Sequence, residues 1–275
     1  MTQRELSIWN AFNMISDLSM YLAPDKVRQA QEDWLQRTLQ LIGERRGQEP
    51  ITDSPSRWLS PELLLSQTCG YPLVTSLRGK VRLVGRPSYE LPHSSGGDHC
   101  SLIICRADSP VTHLAGFAGS HGLVNAGDSN SGMNLFRHAL SMVKEGGFFS
   151  TVSLTGAHRE SLRRLKNHEG DLASIDSVTY DYLDRYQSEE IKGLKIIARS
   201  AVSPCLPYIT SILRTEDEAS KIRSALNEAL RQLPEVAQAL AIKEVLPASD
   251  EDYEVLLQYE RFATGRGFSF VSEEC

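Results

Sequence analysis

Residues 125–134, NAGDSNSGMN, set Asp128, Ser129, Asn130 and Ser131 directly ahead of Gly132 and a run with helical character. The first N–H groups of a helix have no intrahelical acceptor, and the aligned peptide dipoles leave partial positive charge there. Hydroxyl and amide donors gathered at such a point suit an oxyanion, and Gly132 would let a ligand come close to the backbone. The plainer reading is that Asp128 or Ser131 only caps the helix, with Ser131 at the expected N-cap position. Both readings stand on these residues alone.

Two further stretches have the same form. In SLTGAHRESLRRL, residues 153–165, Thr155 and Gly156 close a strand and His158 opens a helix, where it could donate a hydrogen bond to an anion or merely cap. In SIDSVTYDYL, residues 174–183, Asp176 stands at a helix start beside Ser177, a routine N-cap arrangement. In a parallel sheet all three junctions would fall on the carboxyl edge, where open α/β sheets bind ligands.

Other chemistry finds less support. Cys69 and His158 could form a nucleophile–base pair, but no flanking motif accompanies them. His93, His99, Cys100 and Cys105 follow no recognised metal-ligand spacing, and no metal or other cofactor is expected. Neither GxxxxGK[ST] nor a GxGxxG after a strand is present. The five cysteines are too sparse and irregular for a disulfide framework.

The elements that must position these residues alternate. After a first strand in LSIWNAFNMI comes a helix at 23–46, then strands LLLSQTC and KVRLVGRPSY separated by GYPLVTSLRG. ELPHSSGGDH reads as a loop. From CSLIICRA onward, strands alternate with helices at 131–145, 158–168 and 177–186, ending at LKIIARS; beyond SPCLPYIT the remainder reads as helices. This is an α/β pattern of two lobes joined by crossings near 99–106 and 198–208, with a first lobe from 1–100 and 204–275 around a second at 101–203. A chain of 275 residues, 41% hydrophobic, can bury two such cores. Its net charge of -6 and lack of a basic stripe exclude nucleic acid as a partner, and no apolar run is long enough to insert in a membrane.

LLLSQTCGYPL, VNAGDSNSGMN, TGAHRESL and IDSVTYDYL, in this order, resemble the phosphate, phosphite and phosphonate substrate-binding proteins of ABC transporters, over about residues 18–210. The resemblance implies the type 2 periplasmic-binding-protein fold, with two mixed-sheet lobes, two crossing strands and closure over a small oxyanion, without chemistry. It implies an ABC permease as partner. It also carries ligand contacts onto Ser129, Asn130, Ser131, His158 and Asp176 of the second lobe, beside Gly132, and onto Tyr21, Gln67, Thr68, Tyr71 and Tyr208 of the first. This sequence departs from the family where Leu206 precedes Pro207, a position often acidic in phosphonate-specific members, and where LSMYL stands for LPMYD.

The absence of Lys and Arg from the matched loops, and a nearby Asp176, favour a monoanionic or still protonated ligand; Arg137, Arg159 and Arg163 are expected to face solvent. Some biosynthetic enzymes use the same fold, so a cytoplasmic enzyme or small-molecule sensor is the alternative. The N-terminus shows no signal peptide. Met1 as native start implies a cytoplasmic protein, and a removed leader a periplasmic one.

Overall fold

A computed structural model describes residues 14–47 and 55–271. Along the chain come β1 (Ile15–Ser16), α1 (Asp25–Ile42), β2 (Leu63–Gln67), β3 (Val81–Tyr89), β4 (Ser101–Arg106) and β5 (His121–Val124). A wide turn of π form (Asn130–Asn134) leads into α2 (Leu135–Val143), followed by β6 (Gly147–Phe149), β7 (Thr151–Leu154), α3 (His158–Lys166), β8 (Leu172–Asp176), α4 (Ser177–Tyr186) and β9 (Leu194–Arg199). The rest is β10 (Tyr208–Ser211), α5 (Glu216–Gln232), α6 (Pro234–Leu240), β11 (Ile242–Leu246), α7 (Glu254–Gly265) and β12 (Ser269–Val271).

The chain divides into two compact units. The first comprises residues up to Glu90 together with Pro204–Asp252, and the second Leu91–Ser203 together with residues from Tyr253 on.

In the first unit the sheet order is β1-β2-β10-β3-β11, with β1 parallel to β2 and β10 antiparallel to both of its neighbours. Val27, Trp34, Leu35 and Leu39, at helical spacing, form the buried face of α1. The Trp34 indole donates to the Leu226 carbonyl at 3.0 Å and packs edge-on against Tyr208, ring centroids 5.6 Å apart. Thus one buried aromatic ties α1 to α5 and to the start of β10.

In the second unit the order is β9-β4-β8-β5-β7; β7, β5 and β8 are parallel, while β4 pairs antiparallel with β8 and β9 antiparallel with β4. Leu102, Ile104, Leu123, Leu162, Leu165, Ala173 and Leu183 fill its core from strands and helices alike. The parallel trio is what puts the three strand-to-helix junctions on one edge.

Several elements differ from the sequence reading. The first strand read in LSIWNAFNMI falls largely outside the described residues, leaving Ile15–Ser16. GYPLVTSLRG is helical, because Leu73, Val74 and Leu77 are buried on one side of the coil. FFSTVSLT is two strands, since the Ser150 N–H turns aside to the Ser120 carbonyl. IKEVL, read among helices, is β11, paired with β3 from Ile242 opposite Tyr89 to Leu246 opposite Arg86. The unit boundary lies at Leu91 because the ELPHSSGGDH loop is fastened to α4: the His93 N–H and Nδ1 meet the Asp181 carboxylate at 3.1 and 2.5 Å. Ser177 Oγ donates to the His93 carbonyl at 3.2 Å. The C-terminal helix α7 belongs to the second unit, its Tyr259 ring stacked on His138 of α2 at 4.5 Å.

Replacing Trp34 with Phe removes the indole donor while keeping an aromatic ring. Urea unfolding should show a loss of about 1–2 kcal/mol, read as a lower midpoint at unchanged slope.

Candidate functional site

The loop after β5 is built from its peptide groups outward. Ser129 is the N-cap: its backbone is extended (φ -73°, ψ 133°) and its Oγ accepts from the Gly132 N–H at 3.0 Å. The cap is therefore Ser129, and neither Ser131 nor Asp128. Helical structure begins at Asn130, and the Asn134 N–H reaches back five residues to the Ser129 carbonyl at 3.0 Å. The reason lies at Ser131, whose carbonyl accepts from two hydroxyls on neighbouring strands, Ser101 Oγ at 2.8 Å and Ser174 Oγ at 2.7 Å. Those bonds place Ser131 inside the first turn, two positions past the cap.

The Ser131 hydroxyl meets His158 Nε2 at 2.9 Å, so the first two junctions touch. Asn125 Nδ2 lies 3.5 Å from the same nitrogen. Asn125 also answers for Gly132: its Oδ1 stands 1.7 Å from where a Cβ on that residue would be, and His158 Cε1 at 3.1 Å. The group that comes close to the Gly132 backbone is thus a neighbouring carboxamide, and not the open approach expected from sequence.

Asp176 closes β8 and caps α4, Oδ1 accepting from the Thr179 N–H at 2.9 Å. Its other oxygen lies 2.9 Å from Nδ1 of the buried His99. At 2% exposure both carboxylate oxygens face protein partners. Burial opposes the Asp176 charge. The adjoining His99 and His158 rings and the Thr179 N–H outweigh burial and hold the carboxyl below the usual carboxylate range. Burial also pushes the His158 imidazole below its ordinary value, against the pull of the Asp176 carboxylate, which keeps the ring neutral at neutral pH.

Three helix starts, those of the π turn with α2, of α3 and of α4, thus point their N–H groups at one edge of the second unit. There the Ser131 hydroxyl and the neutral His158 are joined by a hydrogen bond, beside the Ser129 cap. Such a cluster holds an anion by donated hydrogen bonds and peptide dipoles. Arg159 pairs with Glu190, and Arg163 with Glu160, both on exposed surface. Arg137 departs from expectation: 17% exposed, it donates to Asn134 Oδ1 and pairs with Glu260 at 3.1 Å.

The first-unit residues gather at the carboxyl end of β2. Gln67 is opposite Tyr208 in the ladder and donates from Nε2 to the Leu206 carbonyl at 3.0 Å. The Thr68 N–H bonds the Pro207 carbonyl at 3.1 Å. Tyr71 sits in the following helical turn, and Tyr21 packs edge-on against Tyr89 at 6.4 Å. Cys69 belongs to this unit and His158 to the other, with His158 Nε2 engaged by Ser131. Of the residues considered for a metal, His93 is held by Asp181 and His99 by Asp176. Among the described residues no three His, Cys, Asp or Glu side chains are placed to hold an ion.

Sequence reasoning missed Asn125, Ser101 and Ser174, and weighed His99 only as a metal ligand. Asn125, directly after β5, carried a faint signal as the first residue between that strand and a candidate loop. The other three sit inside or beside strands, and only the sheet brings them under the loop.

The two-unit, mixed-sheet architecture is that of the type 2 periplasmic binding proteins. The family model described as ABC transporter, phosphonate, periplasmic substrate-binding protein matches residues 65–253, and the chain belongs to that family. Among solved structures, it is similar to PA3383 of Pseudomonas aeruginosa, a binding protein component of an ABC phosphonate transporter: 16% identity, 93% of this chain and 86% of that one, TM-score 0.72. It is also similar to PhnD1 of Prochlorococcus marinus (MIT 9301), solved with methylphosphonate, at 8% identity over 92% and 98% of the two chains, TM-score 0.71. A third, XAC2383 of Xanthomonas citri bound to ATP, shares 15% identity over 93% and 98%, TM-score 0.67. These likenesses show the fold. No curated protein matches the sequence. Among the described residues, no helix is long and apolar enough to cross a membrane.

Two measurements follow from this geometry. Gly132→Ala should cost about 1–3 kcal/mol by driving Asn125 out of place, and adding Asn125→Ala should restore part of that loss in denaturant unfolding. Asp176→Asn keeps the cap acceptor and removes the charge. Because the folded carboxyl is held low, its stabilisation is present above the unfolded value and lost as pH falls through the folded one. The stability gap between wild type and variant should be widest at neutral pH and narrow below about pH 4.

Proposed function

We propose that this chain binds a small phosphorus-containing oxyanion (phosphate, phosphite or a phosphonate) for uptake through an ABC permease. The observation that carries the reading is the junction cluster of the second unit, where Ser129, Ser131 and His158 converge with three helix starts, while Arg137, Arg159 and Arg163 are each paired with a glutamate. The N–H groups and hydroxyls supply the donors. Asp176, its charge retained behind His158, disfavours a fully ionised ligand, so a monoanion or an anion that keeps a proton suits the site. Tyr21, Gln67, Thr68, Tyr71 and Tyr208 are proposed as contacts from the first unit, and Gly132 and Asn130 as part of the loop that meets the anion. Leu206, where a carboxylate would serve an ammonium group, argues against selection for aminoalkylphosphonates. The reading involves no chemical step and no cofactor. The periplasm is its working compartment, with delivery to the permease the role that the family supplies.

Calorimetric titration of the full chain with phosphate, phosphite, methylphosphonate and 2-aminoethylphosphonate tests this. Binding of at least one, with the last no tighter than methylphosphonate, is expected; silence from all four overturns the reading. Ser129→Ala and Ser131→Ala should each weaken binding, about tenfold if one charge-assisted hydrogen bond is lost. Only the Ser129 change should also carry the cap penalty of about 1 kcal/mol in thermal unfolding.

A further inference from the structure

Asn130 stands between Ser129 and Ser131, yet its carboxamide is turned inward. It is 1% exposed; Nδ2 donates to Ser203 Oγ at 2.8 Å and Oδ1 accepts from Asn134 Nδ2 at 3.2 Å. Asn134, fully buried, also donates from Nδ2 to the Leu256 carbonyl of α7 at 3.1 Å. Its Oδ1 accepts from Arg137 Nε and Nη2 at 3.2 and 2.9 Å, and Arg137 in turn reaches Glu260 of α7 at 3.1 Å. From one loop residue, hydrogen bonds therefore run two ways. One reaches Ser203, the last residue of the second unit before the chain passes to Pro204. The other reaches the C-terminal helix.

We propose that Asn130 is a positioning residue. It holds the anion loop to the segment by which the chain leaves the second unit and to α7, and its side chain does not contact the ligand. This rests on the reading of the loop as an anion site. A carboxamide is suited to the task because its two ends differ: an amide hydrogen meets the Ser203 hydroxyl while the oxygen receives the Asn134 donor. Turning the group toward a ligand would give up both bonds inside a buried network, where each member fixes its neighbours. The loop and the exit segment therefore shift together: whatever moves residues 129–132 is transmitted through Asn130 to Ser203, and the reverse. Asn134 anchors the same loop from the opposite side, so that α7, distant in sequence, sets how far the loop can move.

The discriminating substitution is at Ser203, which lies outside the anion loop. In the full chain, Ser203→Ala should weaken binding of whichever of phosphate, phosphite or methylphosphonate wild type binds, about threefold to tenfold. Asn130→Ala should weaken it at least as much, and the double variant should be no weaker than Asn130→Ala alone, since both remove the same bond. Ser203→Thr keeps the hydroxyl and should keep the affinity. Hydrogen exchange of the amides at 130–134 should be faster in Ser203→Ala than in wild type. Wild-type binding in Ser203→Ala alongside weak binding in Asn130→Ala would mark Asn130 as a direct contact and overturn the proposal, as would losses that multiply in the double variant. If wild type binds none of the probes, the oxyanion reading fails by itself. The exchange comparison then decides this one: unchanged exchange at 130–134 in Ser203→Ala refutes it, and faster exchange supports it.

Discussion

The Ser131 carbonyl, held by two serine hydroxyls from adjacent strands, is the constraint on which the rest of the site depends. A trans peptide is planar, so fixing that C=O also fixes the Gly132 N–H, which points the opposite way. There it meets Ser129 Oγ. One doubly bonded carbonyl thus determines which serine caps the turn, which serine is left to meet His158, and why the coil opens into a π turn before α2. Each strand contributes its hydroxyl from a position that the sheet register sets, Ser101 opposite Asp176 and Ser174 opposite Ile103. The register that positions Asp176 at its cap also positions the clamp.

The electrostatics follow from what the clamp assembles. Each helix start offers roughly half an elementary charge of positive potential, and three of them face one edge. Against this stands the buried Asp176 carboxylate, kept ionised by its neighbours. His158, neutral, contributes a dipole and no charge. The result is a set of directional donors and partial charges around one buried carboxylate. It differs in kind from an arginine fork, which would neutralise a dianion outright and hold it against screening by salt. The nearby arginines do not alter this, because each already has a carboxylate partner.

Much of this arrangement was legible in the sequence, and for local reasons. The βα alternation from CSLIICRA to LKIIARS puts apolar residues at strand and helix periods, so the junctions at Ser131, His158 and Asp176 could be placed to within two residues. What was not legible depended on distant partners. Asp128, Ser129 and Ser131 are all competent caps, and the choice among them is made by Ser101 and Ser174, 30 and 43 residues from Ser131. IKEVL is too short, and its apolar residues too irregularly spaced, to declare itself a strand, and it is one because β3 offers it a free edge. Arg137 looks like a surface residue until α7 folds back on α2 and brings Glu260 to it.

That last point bears on how the loop is stabilised. Its hydrogen-bond partners come from Ser101, Ser174, Ser203 and Leu256, four segments that meet only when the second unit is complete. A loop held only by its own cap would form with its helix. This one acquires its geometry from the sheet, from the exit segment and from the C-terminal helix together, so its order is a property of the whole unit rather than of α2. For a site whose donors are weak one by one, this matters: preorganised hydroxyls and N–H groups lose little freedom on meeting an anion, whereas the same groups on an isolated turn would have to be ordered at the moment of binding.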